Sequence, residues 1–134
     1  MPLLSGNRSC LALVVFCSCV DTAFSVTFTD VTASAGISYN QYSGSSVNTF
    51  TDMTGGAAAG DVDGDGLVDL FVTRLNATDI LYRNKGDGTF ENISVAAGLT
   101  LNRPTNGAAF GDIDNDGDLD LYVTTTAHNR FYLY

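Results

Sequence analysis

Cysteine is confined to the first 19 residues of this 134-residue chain. Cys10, Cys17 and Cys19 are the whole complement, so everything after them must fold without disulfides. Histidine is nearly absent as well. His128 has no cysteine to share a metal with and no motif around it that would make a Ser-His-Asp triad, and it reads as a turn residue between strands. Basic residues are scarce: 6 Lys and Arg stand against 15 Asp and Glu, for a net charge of −9. That balance excludes nucleic-acid backbone binding, which needs Lys and Arg to neutralise phosphate. No apolar run approaches the roughly 20 residues that a membrane-spanning helix takes, so no transmembrane span is expected.

What is present is organised by two acidic runs. Asp61-Val-Asp-Gly-Asp-Gly-Leu-Val-Asp69 and Asp112-Ile-Asp-Asn-Asp-Gly-Asp-Leu-Asp120 both read D-x-D-x-D-G-x-x-D. Four acidic residues of the first and five of the second make nine of the 15 in the chain. Charge concentrated in this way points to cation sites rather than to a disordered acidic tail, and an apolar content of 45% argues the same.

The chain divides into four segments. Residues 1–25 have the form of a secretory signal: Arg8, then the apolar core Cys10 to Val20, then the small residues of Ala23-Phe24-Ser25, with the cut expected after Ser25. The localisation expected from this is secreted, and all three cysteines leave with the signal. Residues 26–54 open with an alternating, β-branched stretch at 26–32, which predicts a strand, followed by a turn at 33–37 and a polar loop. Residues 55–99 and 100–134 are two copies of one unit. Gly56-Ala-Ala-Ala-Gly-Asp-Val-Asp-Gly-Asp-Gly66 recurs as Gly107-Ala-Ala-Phe-Gly-Asp-Ile-Asp-Asn-Asp-Gly117, 51 residues on. Phe28-Thr-Asp-Val-Thr-Ala-Ser-Ala-Gly-Ile37 recurs as Phe90-Glu-Asn-Ile-Ser-Val-Ala-Ala-Gly-Leu99, 62 residues on. The difference of 11 is an insertion within 38–55.

A period near 50 residues with strand-rich content predicts an all-β fold, a partial β-propeller of about two four-stranded blades. Unit one predicts strands at Gly56–Gly60, Leu67–Arg74, Ile80–Asn84 and Thr89–Ser94, with Lys85-Gly86-Asp87-Gly88 as a tight hairpin. Unit two reaches only its third strand at Tyr134. The stretch 26–32 has the sequence of the missing fourth strand, and the expectation is that it completes unit two of the same or another chain. Phe71, Tyr82, Phe90, Tyr122, Phe131 and Tyr132 recur in these strands as core.

The acidic runs suit calcium, a hard ion that takes six to eight oxygen ligands. Carboxylates at positions 1, 3 and 5 of a curled loop converge, glycine at position 6 permits the turn, and position 7 supplies a carbonyl. The expected ligands are Asp61, Asp63, Asp65 and Asp69 with the carbonyl of Leu67, and Asp112, Asp114, Asp116 and Asp120 with the carbonyl of Asp118, for about two ions. Magnesium fits less well, since it keeps its waters and demands octahedral geometry. Gly86-Asp87-Gly88 is no phosphate loop, because no helix follows to present amides to an anion. Asn76-Ala-Thr and Asn92-Ile-Ser are glycosylation acceptors in a secreted chain.

Together with Leu81-Tyr-Arg-Asn-Lys-Gly-Asp-Gly-Thr-Phe90, the loops behind Gly-Ala-Ala-x-Gly resemble the FG-GAP/VCBS repeat, which builds the calcium-bearing propeller of integrin α-subunits. The phrase 28–37 is similar to repeats of the cartilage acidic protein (ASPIC/UnbV) group. The likeness covers about 28–134. It implies a secreted calcium-binding protein of cell adhesion or extracellular matrix, with an extracellular protein or matrix partner. No acid–base pair outside the loops supports catalysis, so the chain is expected not to be an enzyme. The alternatives are an accessory module of a larger secreted enzyme and an acidic mineral-associated protein. Self-association to complete the blades is a further expectation.

Overall fold

The computed structural model describes residues 25–41, 55–75, 77–100, 102, 104–125 and 129–134. Two antiparallel sheets and no helix are found among them. Sheet one runs in chain order through β1 (Ala57–Gly60), β2 (Asp69–Val72), β3 (Ile80–Asn84) and β4 (Phe90–Asn92). Sheet two has β5 (Thr105–Gly111), β6 (Asp120–Thr125) and β7 (Arg130–Tyr132). The four strands expected of unit one are all there, trimmed at their ends where pairing stops. The hairpin between β3 and β4 closes with Lys85 N–H on Thr89 O, and Gly86 and Gly88 take positive φ.

Alternation sorts each sheet into two faces. Phe71 lies opposite Leu81, and both point toward sheet two with Ala58. They meet Leu121 and Val123 of β6, with Phe110, Ala108 and Tyr132 around them. The other face of sheet one carries Val72, Ile80 and Tyr82, joined by Leu70, Phe90 and Ile37. The first strands are built of Gly and Ala because β1 and β5 are in close contact. A Cβ on Gly56 would stand 2.9 Å from Gly107 Cα, and one on Gly60 would stand 2.8 Å from the Leu119 side chain.

The two matching phrases fold into one turn used twice. Ala35 N–H bonds Val31 O, Gly36 N–H bonds Ala33 O and Ile37 N–H bonds Thr32 O. Sixty-two residues on, Ala97, Gly98 and Leu99 repeat the set onto Ile93, Val95 and Ser94. Gly36 and Gly98 both have φ of +74°, a conformation glycine adopts without a steric penalty. Each turn ends on an apolar residue that joins a core cluster: Ile37 packs against Val72, Ile80 and Tyr82, and Leu99 joins Phe71, Leu81, Leu121 and Val123.

The expected strand at 26–32 does not form. Its side chains face solvent, with Phe28 93% exposed, and it pairs with no strand among the described residues. The β-like composition is real, but a strand exists only where an edge accepts it. Completion of sheet two by 26–32 within one chain is therefore corrected. The segment leads into its turn beside sheet one, where Ala35 O accepts from Phe90 N–H.

A polar knot ties the sheets at one end. The Asp79 carboxylate accepts from the Thr105 hydroxyl and from Arg74 N–H, and the Thr105 hydroxyl also bonds Arg74 O. Burial pushes the Asp79 carboxyl above its ordinary value, against these hydrogen bonds, which pull the other way. A carboxyl whose folded pKa is raised contributes most below its unfolded value, and that contribution is lost as pH rises through the folded one. Asp79→Asn keeps an oxygen for both donors without the buried charge. It is expected to raise the melting temperature at pH 7, with the advantage gone below about pH 4, where Asp itself is protonated. A lower melting temperature at pH 7 would contradict this.

Candidate metal centres

The loops joining β1 to β2 and β5 to β6 occupy equivalent places in the two sheets. Each curls because its turn residues take left-handed backbone: Gly64 (φ +73°) and Gly66 (+86°) in the first, Asn115 (+63°) and Gly117 (+101°) in the second. Asn115 stands where the first loop has Gly64. Asparagine is among the few L-residues that accept this conformation readily, a role the motif alone did not reveal.

The curl gathers carboxylates. Asp61, Asp63 and Asp65 bring one oxygen each within 4.8 Å of one another, and Asp112, Asp114 and Asp116 do the same. Backbone amides help to hold them. Gly66 N–H bonds Asp61 Oδ2 at 2.8 Å, Asp65 N–H bonds Asp61 Oδ1 at 3.1 Å, and Leu67 N–H bonds Asp65 Oδ1 at 2.8 Å. In the second loop Gly117 N–H bonds Asp112 Oδ2 and Asp118 N–H bonds Asp116 Oδ1. Partial desolvation, with Asp116, Asp120 and Asp112 nearby, holds the Asp114 carboxyl above its ordinary value. Crowding of this kind is relieved by a cation.

Position 9 is placed differently. Asp69 is fully buried, and its two oxygens accept from Val62 N–H at 3.0 Å and Asn84 N–H at 2.8 Å. Asp120 repeats this with Ile113 N–H and Tyr134 N–H. These carboxylates bolt the loop to β3 in sheet one and to the residue two past β7 in sheet two, and they stand outside the two acidic groups. Three converging carboxylates on a loop rich in backbone oxygen form a hard donor set, and that set fits calcium.

Asn92 lies at the end of β4, exposed, with its side-chain oxygen bonded by Ser94 N–H and the Ser94 hydroxyl. Asn76 and His128 lie outside the described residues, as does most of the expected signal, residues 1–24. No helix among the described residues is long and apolar enough to cross a membrane.

A family model described as an FG-GAP-like repeat matches residues 61–123, from the first acidic loop to β6. The chain is also similar to cartilage acidic protein 1 of Homo sapiens, 30% identical over 106 residues, which cover 78% of this chain and 14% of that protein. It is 31% identical over 80 residues to cartilage acidic protein 1 of Xenopus tropicalis, covering 58% of this chain and 12% of the relative. The chain thus spans about one-seventh or less of the length of these relatives.

Proposed function

We propose that this chain, which an FG-GAP-like repeat model matches over residues 61–123, is a calcium-binding module of an extracellular protein, acting in matrix or adhesive contacts rather than in catalysis. The observation that carries the reading is the repetition of one acidic loop at one place in two sheets, each with three carboxylates drawn together. A chance acidic turn has no reason to recur 51 residues on with the same backbone curl.

Asp61, Asp63 and Asp65, with the Leu67 carbonyl, would hold one ion. Asp112, Asp114 and Asp116, with the Asp118 carbonyl, would hold the other. Bound calcium supplies the positive charge that offsets carboxylate repulsion. The residues of the chain do the rest: the loop amides orient Asp61, Asp65, Asp112 and Asp116, while Asp69 and Asp120 fix each loop against its sheet. Binding to the folded state alone stabilises that state. The signal-like start and the names of the relatives support an extracellular setting, in which Asn76 and Asn92 would be glycosylation sites.

The reading is tested by asparagine pairs. Asp63→Asn with Asp65→Asn is expected to reduce calcium stoichiometry from about two to about one, and Asp114→Asn with Asp116→Asn to do the same in the second loop. Both pairs together should abolish binding. Retention of both ions by the fourfold variant would contradict the assignment.

A further inference from the structure

We propose that Arg83 sets the calcium affinity of the first loop, as a fixed counter-charge that Glu91 holds beside Asp63 and Asp65 and that an incoming ion must work against. This rests on the calcium reading of the loops and adds to it a residue that touches no ion. Arg83 stands near the end of β3, directly opposite Glu91 of β4. Its guanidinium meets the Glu91 carboxylate at 2.7 Å, and both side chains are about half exposed. Opposite charges that face each other across two strands favour this pairing. At such exposure the ion pair contributes little to stability, but it fixes where the positive charge stands.

The place of that charge relative to the first loop is set by the next residue along. Asn84 N–H donates to Asp69 Oδ1, and Asn84 Nδ2 donates to Val68 O. The same Asp69 carboxylate accepts from Val62 N–H at the start of the loop. Beyond Asn84 the hairpin backs the loop, since a Cβ on Gly86 would stand 3.2 Å from the Leu67 side chain. The end of β3 is thus pinned to the loop, and Arg83 is pinned with it. Arg83 and Asp63 line one cleft, together with Leu81 and Ile93. The Glu91 hydrogen bond and charge raise the Arg83 guanidinium above its ordinary value, against desolvation, and the Asp63 and Asp65 charges add to the rise. The guanidinium therefore acts through space on two of the three converging carboxylates, while its ion pair goes to Glu91.

An arginine keeps its charge at every pH a folded protein meets. In the empty loop that charge offsets the repulsion among the carboxylates. In the filled loop it repels the ion. Both effects reduce the net gain on binding. Calcium loops are tuned by the charge gathered around them, and a neighbouring fixed cation subtracts from it. The first loop is thereby weaker than its carboxylates alone would make it. Sheet two has Leu133 at the corresponding register position, because Tyr132 faces Leu121 as Tyr82 faces Leu70. The second loop does not carry this counter-charge at that position.

The test is calcium titration by calorimetry into the full chain, with Asp114→Asn and Asp116→Asn silencing the second loop so that one Kd is read. In this parent, Arg83→Gln is expected to lower Kd about three- to tenfold, the effect of a unit charge on a divalent ion across solvent at side-chain range. Arg83→Lys keeps the charge and should restore the parent Kd. Glu91→Gln frees Arg83 from its partner and removes a negative charge, and should raise Kd about twofold. The Arg83→Gln ratio should fall toward one at about 1 M salt, where the screening length is about 3 Å, which a packing effect would not do. A parent that binds no calcium would overturn the calcium reading and this inference with it. A parent that binds, with Kd unmoved by Arg83→Gln, lowered equally by Arg83→Lys, or lowered by the same factor at high salt, would overturn the role of Arg83 and leave the calcium reading standing. If Arg83→Gln loses its β-sheet circular dichroism, Glu91→Gln decides: a raised Kd supports the role, and an unchanged or lowered one overturns it.

Discussion

Replacing Asp69 by alanine is expected to cost about 2–4 kcal/mol, from two charge-assisted hydrogen bonds of roughly 1.5–3 kcal/mol each, partly offset by water at the edge of the sheet. Val62 N–H and Asn84 N–H lose their acceptor together, so the loop loses its bond to β2 and one of its ties to β3, keeping Asn84 Nδ2 on Val68 O. Against a total stability of about 5–15 kcal/mol, that is a large fraction. Asp69→Asn keeps one oxygen and should lose about half as much. Urea melts in saturating calcium and in chelator separate the two roles open to this residue. A pure bolt gives the same loss in both conditions. A carboxylate that is also a ligand gives a larger loss in calcium. No measurable loss in chelator would contradict the bolt.

Phe71→Ala is expected to cost about 3–5 kcal/mol, the usual range for emptying a buried phenylalanine site. Phe71 is fully buried between the sheets against Leu81, Leu99, Leu121 and Val123, and the backbone that frames it is pinned by the close approach of Gly56, just before β1, to Gly107 of β5. The site cannot collapse without pulling the sheets together where they already touch. Tyr122→Ala removes the equivalent residue of sheet two. There the ring packs on Phe131 with centroids 6.1 Å apart, its hydroxyl accepts from Asn129 Nδ2, and the residue is 37% exposed. The expected cost in the dilute chain is about 1 kcal/mol or less. Equal losses at the two positions would mean that the outer face of sheet two is covered even in the single chain. A Tyr122→Ala cost that grows with protein concentration would place that face in an interface.

Much of the fold follows from patterns that are local in the chain. The β3–β4 hairpin is dictated by Gly86 and Gly88, whose backbone needs are met within five residues. The strands β2 and β3 are marked by the short apolar runs Leu70-Phe-Val72 and Ile80-Leu-Tyr82, buried on both faces. The acidic loops are dictated by spacing, and the repeats by their offsets. What local pattern does not determine is partnership. Residues 26–32 have the sequence of β4 and do not form a strand, because β4 is a strand by virtue of β3 beside it. Asp69 has the spacing of a ligand, but whether its oxygens turn inward or back to Val62 and Asn84 depends on where β3 packs. The Asp79–Thr105 knot joins residues 26 positions apart across two sheets, a link that neither residue announces. Asn115 is a milder case. Its left-handed backbone is visible only by aligning it with Gly64.

Calcium titration into the full chain, by calorimetry with a parallel thermal melt, bears most directly on the loops as metal centres. The expected result is about two ions per chain with dissociation constants in the range of extracellular modules, about 10⁻⁴–10⁻³ M, and a melting temperature that climbs with calcium concentration. Absence of binding heat, with a melting temperature indifferent to calcium through about 10⁻² M, ten times the upper end of that range, would contradict it.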